Sequence, residues 1–474
     1  MKKILVSLLL LSVMLLNVFA LVSCEDRPGP GPAVETDGVY DGSKVTITFW
    51  HTMGSDNKNL LDSAIARFNE IYPNITVEHK SLGSYDEVYN QISNKLKSGD
   101  YPNLAYCYPD HVASYNKARK VVVLDDLINN KAMLESGEMM GFTQAQIDDF
   151  IEGYYNEGKE YGDGKMYSLP FMKSTEVLYY NKTLFEQKGW DAPKTWDDIE
   201  YYANELKKEF PNSTPFGYDS LENFFITLAA QSHPEGEGYT SATGDHYVFN
   251  NDINKAFVKK FAKWYQSGLM ISPDPTKSGY TSDAFTMAND DMGKVFMAIG
   301  SSAGARYQRP DKVNGDYPFD VGIVPVPQIN PENPKVISQG PSICILKKDN
   351  IQETYSSWLF VKFLTTDARF QAQYSQSSGY IPVIKSVGET EQYKNYLDKA
   401  NGGDFITSLV AKVALEQQAA YFTSPAFAGS AKARTQVGLL TWAVFSNYNL
   451  NASDDVNDAM IDTKFAQQEA ECEK

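Results

Sequence analysis

The chain has little from which to build a metal site or a disulfide framework. Its 474 residues include four cysteines and five histidines. The histidines are scattered, with none paired at i,i+4 or beside a Cys-x-x-Cys, so the usual zinc arrangements are excluded. Four cysteines cannot staple a chain of this size, and a large core makes such staples unnecessary. Cys107 and Cys344 sit in apolar, strand-like runs and read as small buried hydrophobes. Signatures of hydrolases and nucleotide enzymes are missing too: no Gly-x-Ser-x-Gly, no His-Glu-x-x-His, no glycine-rich loop ending in Lys-Ser/Thr. No cofactor and no metal are expected. Positive charge is also short, with 43 Lys and Arg against 60 Asp and Glu and a net charge of −17. Nucleic acid is therefore excluded as a partner, because its binding needs clustered cations.

What the chain does have begins at its first residues. Lys2 and Lys3 precede an apolar run from Ile4 to Leu16, and the segment ends in Leu21-Val-Ser-Cys24. This is the layout of a secretory signal. Leu-Val-Ser-Cys resembles the bacterial lipobox, which implies that Cys24 carries the lipid and opens the mature chain; the alternative is an ordinary signal with a chance cysteine. Residues 1–23 are thus expected to be a signal peptide. Residues 24–43, rich in Pro and Gly, are expected to be a disordered spacer. No later apolar stretch is long enough to span a bilayer, so any membrane attachment is through the lipid alone. About 450 residues remain, enough for two large lobes. The 30 tyrosines supply faces that stack on ringed ligands.

Periodicity supports an α/β fold. Val45–Trp50 alternates as a strand, Leu60, Leu61, Ala64, Ile65, Phe68 and Ile71 follow helical spacing up to Pro73, and Ile75–His79 is the next strand. Ser84-Tyr-Asp-Glu87 is a capping box opening a helix with Val88, Ile92 and Leu96 on one face, and strand Leu104–Tyr108 follows. That order predicts largely parallel strands with crossover helices. The grammar recurs in strand Glu176–Tyr180, the helix capped by Thr195-Trp-Asp-Asp198, and the stripe Ile253, Phe257, Phe261, Trp264. Lys294–Ile299 is expected to run as a strand into Gly300-Ser-Ser-Ala-Gly304, opening a helix there. Ile343–Leu346 reads as a strand, Glu353–Gln376 as one long helical stretch, and everything after Tyr380-Ile-Pro as helical.

Several segments together resemble the family 1 extracellular solute-binding proteins of ABC importers. They are Thr48-Phe-Trp-His-Thr-Met53, Tyr167-Ser-Leu-Pro-Phe171 leading into Ser174-Thr-Glu-Val-Leu-Tyr-Tyr-Asn-Lys182, Pro193-Lys-Thr-Trp-Asp-Asp198, and Ser378-Gly-Tyr-Ile-Pro-Val383. The resemblance implies a two-lobed periplasmic-binding-protein-like fold of the second type, with ligand in the cleft between lobes joined by crossing segments. It places the N-terminal lobe at 44–170 and 326–375 and the C-terminal lobe at 171–325 and 376–474, with crossings near Leu169–Phe171, Val324–Pro325 and Gly379–Tyr380. It also implies an ABC permease as partner and a small carbohydrate or polyol phosphate as ligand, with the protein a monomer outside the cytoplasmic membrane. Within the family the likeness runs to binding proteins for glycerol 3-phosphate and related diesters, through Gly83-Ser-Tyr85, Leu221-Glu-Asn-Phe224, Ile299–Gly304 and Gly379-Tyr-Ile-Pro382. Carried over one by one, it implies ligand contacts from Tyr85 and Asp110 on one lobe, from Ser174, Tyr218 and Ser301 on the other, from the Gly340 backbone, from Tyr380 at a crossing, and from Arg434 on phosphate. The chain departs from that subgroup at Pro215-Phe-Gly-Tyr218, where relatives carry ligand-stacking tryptophans.

The residues themselves leave alternatives. Ser301 and Ser302, following a strand, suit an anion at a helix start, or else a serine N-cap with glycines for the turn. Arg434 can grip phosphate or carboxylate bidentately, or stand solvated on a helix. Tyr85 and Tyr380 suit sugar binding or partly buried packing. Trp50 and His51 end the first strand, where open α/β sheets place ligand contacts. A phosphorylated polyol and a neutral sugar both remain open. The rival from another class is a surface-anchored glycan hydrolase, whose carboxylate pair would meet only in the fold.

Overall fold

A computed structural model describes residues 34, 37–233, 236, 238–241, 244–277, 279–286, 294–398 and 406–474. The leader and Cys24 lie outside the described residues. Two sheets organise the rest. The first has the order β2-β1-β3-β11-β4, from β1 (Val45–His51), β2 (Ile75–Ser81), β3 (Leu104–Cys107), β4 (Leu169–Pro170) and β11 (Ser342–Ile345). β1 pairs in parallel with β2 and β3, as the strand–helix order predicted, while β11 runs antiparallel to β3 and β4. The second sheet follows β12-β10-β5-β8-β6-β7, with β9 also on β5. Its strands are β5 (Ser174–Asn181), β6 (Phe216–Tyr218), β7 (Met270–Ile271), β8 (Met297–Ser301), β9 (Val321–Pro325), β10 (Val336–Gln339) and β12 (Tyr421–Phe422).

Local signals explain most helices. Helix Ser55–Ile71 buries Leu61, Ala64 and Phe68, three to four residues apart, and Pro73 follows its C-cap. Ser84 caps helix Tyr85–Lys95 by accepting the Glu87 N–H at 3.1 Å. Thr195 and Asp198 form the reciprocal capping box of helix Trp196–Glu209. The stretch expected to be one long helix is two, Ile351–Thr366 and Ala368–Ser378. Asp367 divides them because its carboxylate caps the second, accepting the N–H groups of Arg369 and Phe370 at 3.0 and 3.3 Å.

Three expectations need correction. Gly300–Gly304 opens no α-helix; the chain turns into a seven-residue 3₁₀ helix, Ser302–Gln308. The part after Tyr380 is not wholly helical, since β12 pairs with β10. The exchange between sheets expected at Val324–Pro325 falls later, between β10 and β11, because β9 and β10 both pair with β5. Gly340 makes that exchange. Its φ is +95°, and a Cβ there would lie 2.5 Å from Met172 O and 2.8 Å from Lys173 Cα, so only glycine fits. Beyond Gly379, Ile381, Val383, Ile384, Val387, Tyr393 and Tyr396 pack into the core of the first sheet, together with Phe49, Tyr106 and Trp358. Helix Ser430–Asn447 and helix Asp454–Glu473 pack into the core of the second.

Candidate functional site

The crossing segments are bonded to one another. Phe171 N donates to Pro341 O at 3.1 Å, while Lys173 and Ile381 exchange backbone bonds of 3.0 and 2.6 Å. The fully buried Lys173 ammonium lies 2.5 Å from the Glu157 carboxylate. It also donates to Gly340 O and Ser342 Oγ at 3.3 and 3.1 Å. One cation thus ties the first lobe's Glu157 to both strand exchanges. Burial pushes the Glu157 carboxyl up, and the lysine pulls it back.

Beside this brace a cavity of about 70 Å³ opens between the sheets. Tyr108, Pro109, Asp110 and Glu157 line it from one side. Ile226, Tyr239, Ile337–Gln339, Thr423–Ala426, Ser430 and Arg434 line it from the other. Ligand pockets start at roughly 300 Å³, so a solute enters only if the lobes part. The hydrogen-bonded crossings are where such a hinge would act.

Arg434 comes from the second turn of helix Ser430–Asn447 and donates to Asn223 Oδ1. The same oxygen accepts Gln339 Nε2 at 3.0 Å. Asn223 Nδ2 in turn donates to Glu176 at 2.9 Å, and the Tyr218 hydroxyl donates to the other Glu176 oxygen at 2.5 Å. Glu176 is buried in β5, two residues from Leu178 on the same face. Burial raises its carboxyl to about 7, against the pull of Tyr218, Asn223 and Arg434, and Asp219 adds to the rise. The guanidinium is therefore held by a neutral amide. Among the described residues it has no carboxylate within ion-pair distance. An unneutralised arginine at a cleft wall is suited to an anionic ligand.

Each residue proposed from sequence has a definite place. Asp110 lies in the first turn of helix Pro109–Lys117 and faces the cavity, one oxygen accepting His111 N at 2.8 Å. Tyr85 packs with its ring tilted on Tyr108 at 4.5 Å, and burial followed by Tyr380 and Tyr108 raises its hydroxyl well above the usual range. Tyr380 follows Gly379, packs at 5.9 Å on Tyr374 and belongs to the same tyrosine cluster. Gly340 and Ser174 sit at the hinge, Ser174 opposite Gln339. Tyr218 is fully buried beneath the cleft wall and reaches it only through Glu176. Ser301 caps the 3₁₀ helix, accepting Ala303 N at 3.2 Å, and the buried Ser302 Oγ accepts Thr175 N at 3.2 Å. Both hydroxyls are engaged within the fold, and a 3₁₀ helix of this length offers no extended row of free N–H groups. His51 is buried: its Nδ1 accepts Met53 N, which leaves Nε2–H for His79 Nδ1 at 2.8 Å, and His79 reaches Asp62.

Glu176, Asn223, Gln339, Tyr108 and Tyr239 were not proposed from sequence. The one available signal was a lone glutamate inside the apolar run Val177–Tyr180 and its flank, since an acid there must find buried partners.

Comparison with known proteins agrees with this architecture. The chain is 26% identical over 379 residues to the sn-glycerol-3-phosphate-binding periplasmic protein UgpB of Escherichia coli K12, covering 76% of this chain and 80% of that protein. Among solved structures it resembles UgpB from Mycobacterium tuberculosis in complex with glycerophosphocholine (TM-score 0.69, 18% identity, 90% of this chain and 98% of that one). It also resembles maltose-bound T. maritima MalE3 (TM-score 0.66, 17% identity, 89% and 99%). The family model for bacterial extracellular solute-binding proteins matches residues 63–401. Two sheets, a cleft between them and bonded crossings are the architecture of a two-lobed binding protein, and this chain belongs to the bacterial extracellular solute-binding protein family.

Proposed function

We propose that the protein is a lipid-anchored receptor that captures a phosphorylated polyol, of the glycerol 3-phosphate or glycerophosphodiester kind, and delivers it to an ABC permease. The observation that carries the reading is Arg434, an unneutralised guanidinium at the cleft wall, with Asp110 lining the same cavity from the opposite lobe. Arg434 takes the phosphate; Asp110 accepts from the polyol hydroxyls; Tyr85, Tyr108 and Tyr380 supply ring faces and hydroxyls beside them. Contacts from both lobes favour the closed state, so binding and closure are one equilibrium. Names of relatives that bind glycerol 3-phosphate support the ligand class, and maltose-bound neighbours keep neutral sugars as the comparison. The lobe closest to each segment follows the sheet to which it pairs. Anchoring rests on Cys24, and the protein acts as a monomer outside the cytoplasmic membrane, without turnover of its ligand.

Calorimetry with glycerol 3-phosphate, a glycerophosphodiester and maltose tests the reading. Phosphates should bind, and Arg434→Ala should weaken them by about 2–5 kcal/mol, as when one partner of a buried charge pair is removed. Loss of one bond to a neutral sugar would cost about 1.5–3 kcal/mol at most. Binding of maltose with no heat from either phosphate overturns the ligand class and leaves the family membership standing.

A further inference from the structure

The two ends of the first sheet differ in character. At the cleft end lie His51, Cys107 and Ser342, and the antiparallel β11 carries the chain away from it, Ser342 opposite Cys107 and Ile345 opposite Leu104. Beyond that far end Leu346 N donates to Asn103 O at 2.8 Å, Val121 bridges Leu346, and Lys347 N donates to Lys120 O at 2.8 Å. Those bonds gather Arg119, Lys120, Lys347 and Lys348 in one place. The Lys348 and Lys120 ammonium groups stand 4.4 and 5.9 Å from the ring centre of Tyr101, whose hydroxyl donates to Lys347 O at 2.7 Å. Helix Tyr85–Lys95 starts at the cleft and brings Lys95 and Lys97 to the same end, and Lys117 closes the neighbouring helix.

The gathering stands on a chain of net charge −17, and Asp100, Asp349 and Glu353 offset it only in part. Among the described residues none of these cations has a carboxylate within 4 Å. Asp100, Asp349 and Glu353 lie near Lys348, but Glu353 accepts Asn103 Nδ2. On the second lobe, by contrast, Lys255, Lys259 and Lys263 on helix Asp252–Gln266 face Asp462, Asp458 and Asp454. Burial first, then Lys120 and Arg119, hold the Lys347 amine below its ordinary range. Arg119 itself has φ +56°, in the left-handed region that non-glycine residues rarely adopt.

The same end receives the N-terminal segment, since Lys44 precedes the first residue of β1. The expected spacer ends earlier than residue 43, because Asn130 Nδ2 donates to Gly38 O at 2.6 Å and Asp41 N donates to Gln352 Oε1 at 3.1 Å, and twelve residues separate Cys24 from Asp37. A chain of that length reaches at most roughly 45 Å, so an anchor at Cys24 keeps this end within that distance of a bilayer.

We propose that the basic end of the first lobe is a docking surface for anionic phospholipid headgroups of the membrane that holds the chain, so that the cleft faces away from the bilayer. This rests on the anchoring reading. Phosphodiester headgroups suit it because Arg and Lys beside a tyrosine ring offer many N–H donors, and because attraction to a charged surface adds up over several cations.

Every described element lies after residue 33, so the chain from Glu25 onward keeps the whole described fold and carries no lipid. The test is co-sedimentation of that chain with vesicles of phosphatidylglycerol and phosphatidylcholine, and of phosphatidylcholine alone, at low and raised salt. Binding is expected to the anionic vesicles only and to fall with salt. Reversing Arg119, Lys120 and Lys347 to glutamate should lower the partition on the order of a hundredfold, at about fivefold per cation. Lys255→Glu with Lys263→Glu, on the second lobe, should leave it unchanged. Circular-dichroism melting of each variant separates loss of the surface from loss of the fold, and single reversals replace the triple one if it unfolds. No binding to anionic vesicles overturns the proposal, as does equal binding by wild type and reversed chain. Import lowered by the reversal with no vesicle binding also overturns it, in favour of a protein partner. If Cys24→Ala releases the protein from cells while the soluble chain still binds anionic vesicles, the docking surface stands. If neither the anchor nor the vesicle binding is found, both readings fail.

Discussion

Replacing Lys173 with methionine should destabilise the protein more than any single change on its surface. The ammonium is fully buried and its removal leaves the Glu157 carboxylate, only 3% exposed, with no counter-charge. Two further acceptors, Gly340 O and Ser342 Oγ, lose a donor at the same time. Breaking a buried pair from one side costs about 3–5 kcal/mol, and each orphaned acceptor adds to the upper end of that range. The loss should depend on pH in a fixed direction. Without the lysine, burial, Glu160 and Asp110 act on Glu157 unopposed, so its folded pKa rises further above its unfolded value. The destabilisation is then small below the unfolded pKa, where the carboxyl is neutral in both states, grows as pH rises from that value towards the folded one, and is constant above it. Urea unfolding at pH 4 and pH 8 measures it. The double change Lys173→Met with Glu157→Leu should recover most of the stability, because replacing both partners by apolar groups is often neutral. A Lys173→Met midpoint equal to wild type at pH 8, or a double variant no better than the single one, refutes the brace.

Gly340→Ala should cost at least about 2 kcal/mol in unfolding midpoint, because a Cβ at φ +95° meets Met172 O at 2.5 Å. His51 is held down to about 3, by burial first and then by His79 and Lys58. A depressed histidine contributes stability above its unfolded pKa that is lost as pH falls. His51→Gln should therefore flatten the acid side of the stability curve between about 6.5 and 3, by up to about 5 kcal/mol. Affinity for a glycerophosphodiester, whose own charge does not titrate near neutrality, should fall as pH rises through about 7, where Glu176 ionises behind Arg434. Glu176→Gln should remove that dependence, as read by calorimetry across the range. Cys24→Ala should release the protein from membranes after a high-salt wash; sedimentation in the unchanged amount refutes the anchor, since no described helix is long and apolar enough to cross a bilayer.

Legibility in the sequence followed the range of the interaction. Short-range signals were readable: Ser84, Thr195 and the Leu61–Ala64–Phe68 spacing act within one turn or one helix face, and the observed caps and buried stripes are where those residues put them. The Asp367 cap was equally local and was still missed, because an unbroken apolar pattern from Tyr355 to Tyr374 hides a break that one side chain makes. The sheet exchange was placed too early for a different reason. Val324-Pro325 and Gly340-Pro341 both punctuate the chain, and nothing local says which of them meets another crossing; the choice is made by Met172 and Lys173, some 170 residues away in sequence.

The cleft shows the same division more sharply. The family resemblance offered Tyr85, Asp110, Tyr380 and Arg434, and of these Asp110 and Arg434 line one cavity from opposite lobes. What sets the chemistry of Arg434 was not reachable. Its charge is available because its partner is Asn223, an amide, while the nearby carboxylate of Glu176 is spent on Asn223 and Tyr218. Had Glu176 and Asn223 exchanged places, the same residues would pair the guanidinium with a carboxylate and close the cleft to an anion. A sequence lists the acid, the amide and the arginine in β5, in helix Leu221–Ser232 and in helix Ser430–Asn447, but the order in which they touch is a property of the fold. That order decides whether the arginine is free to hold a phosphate.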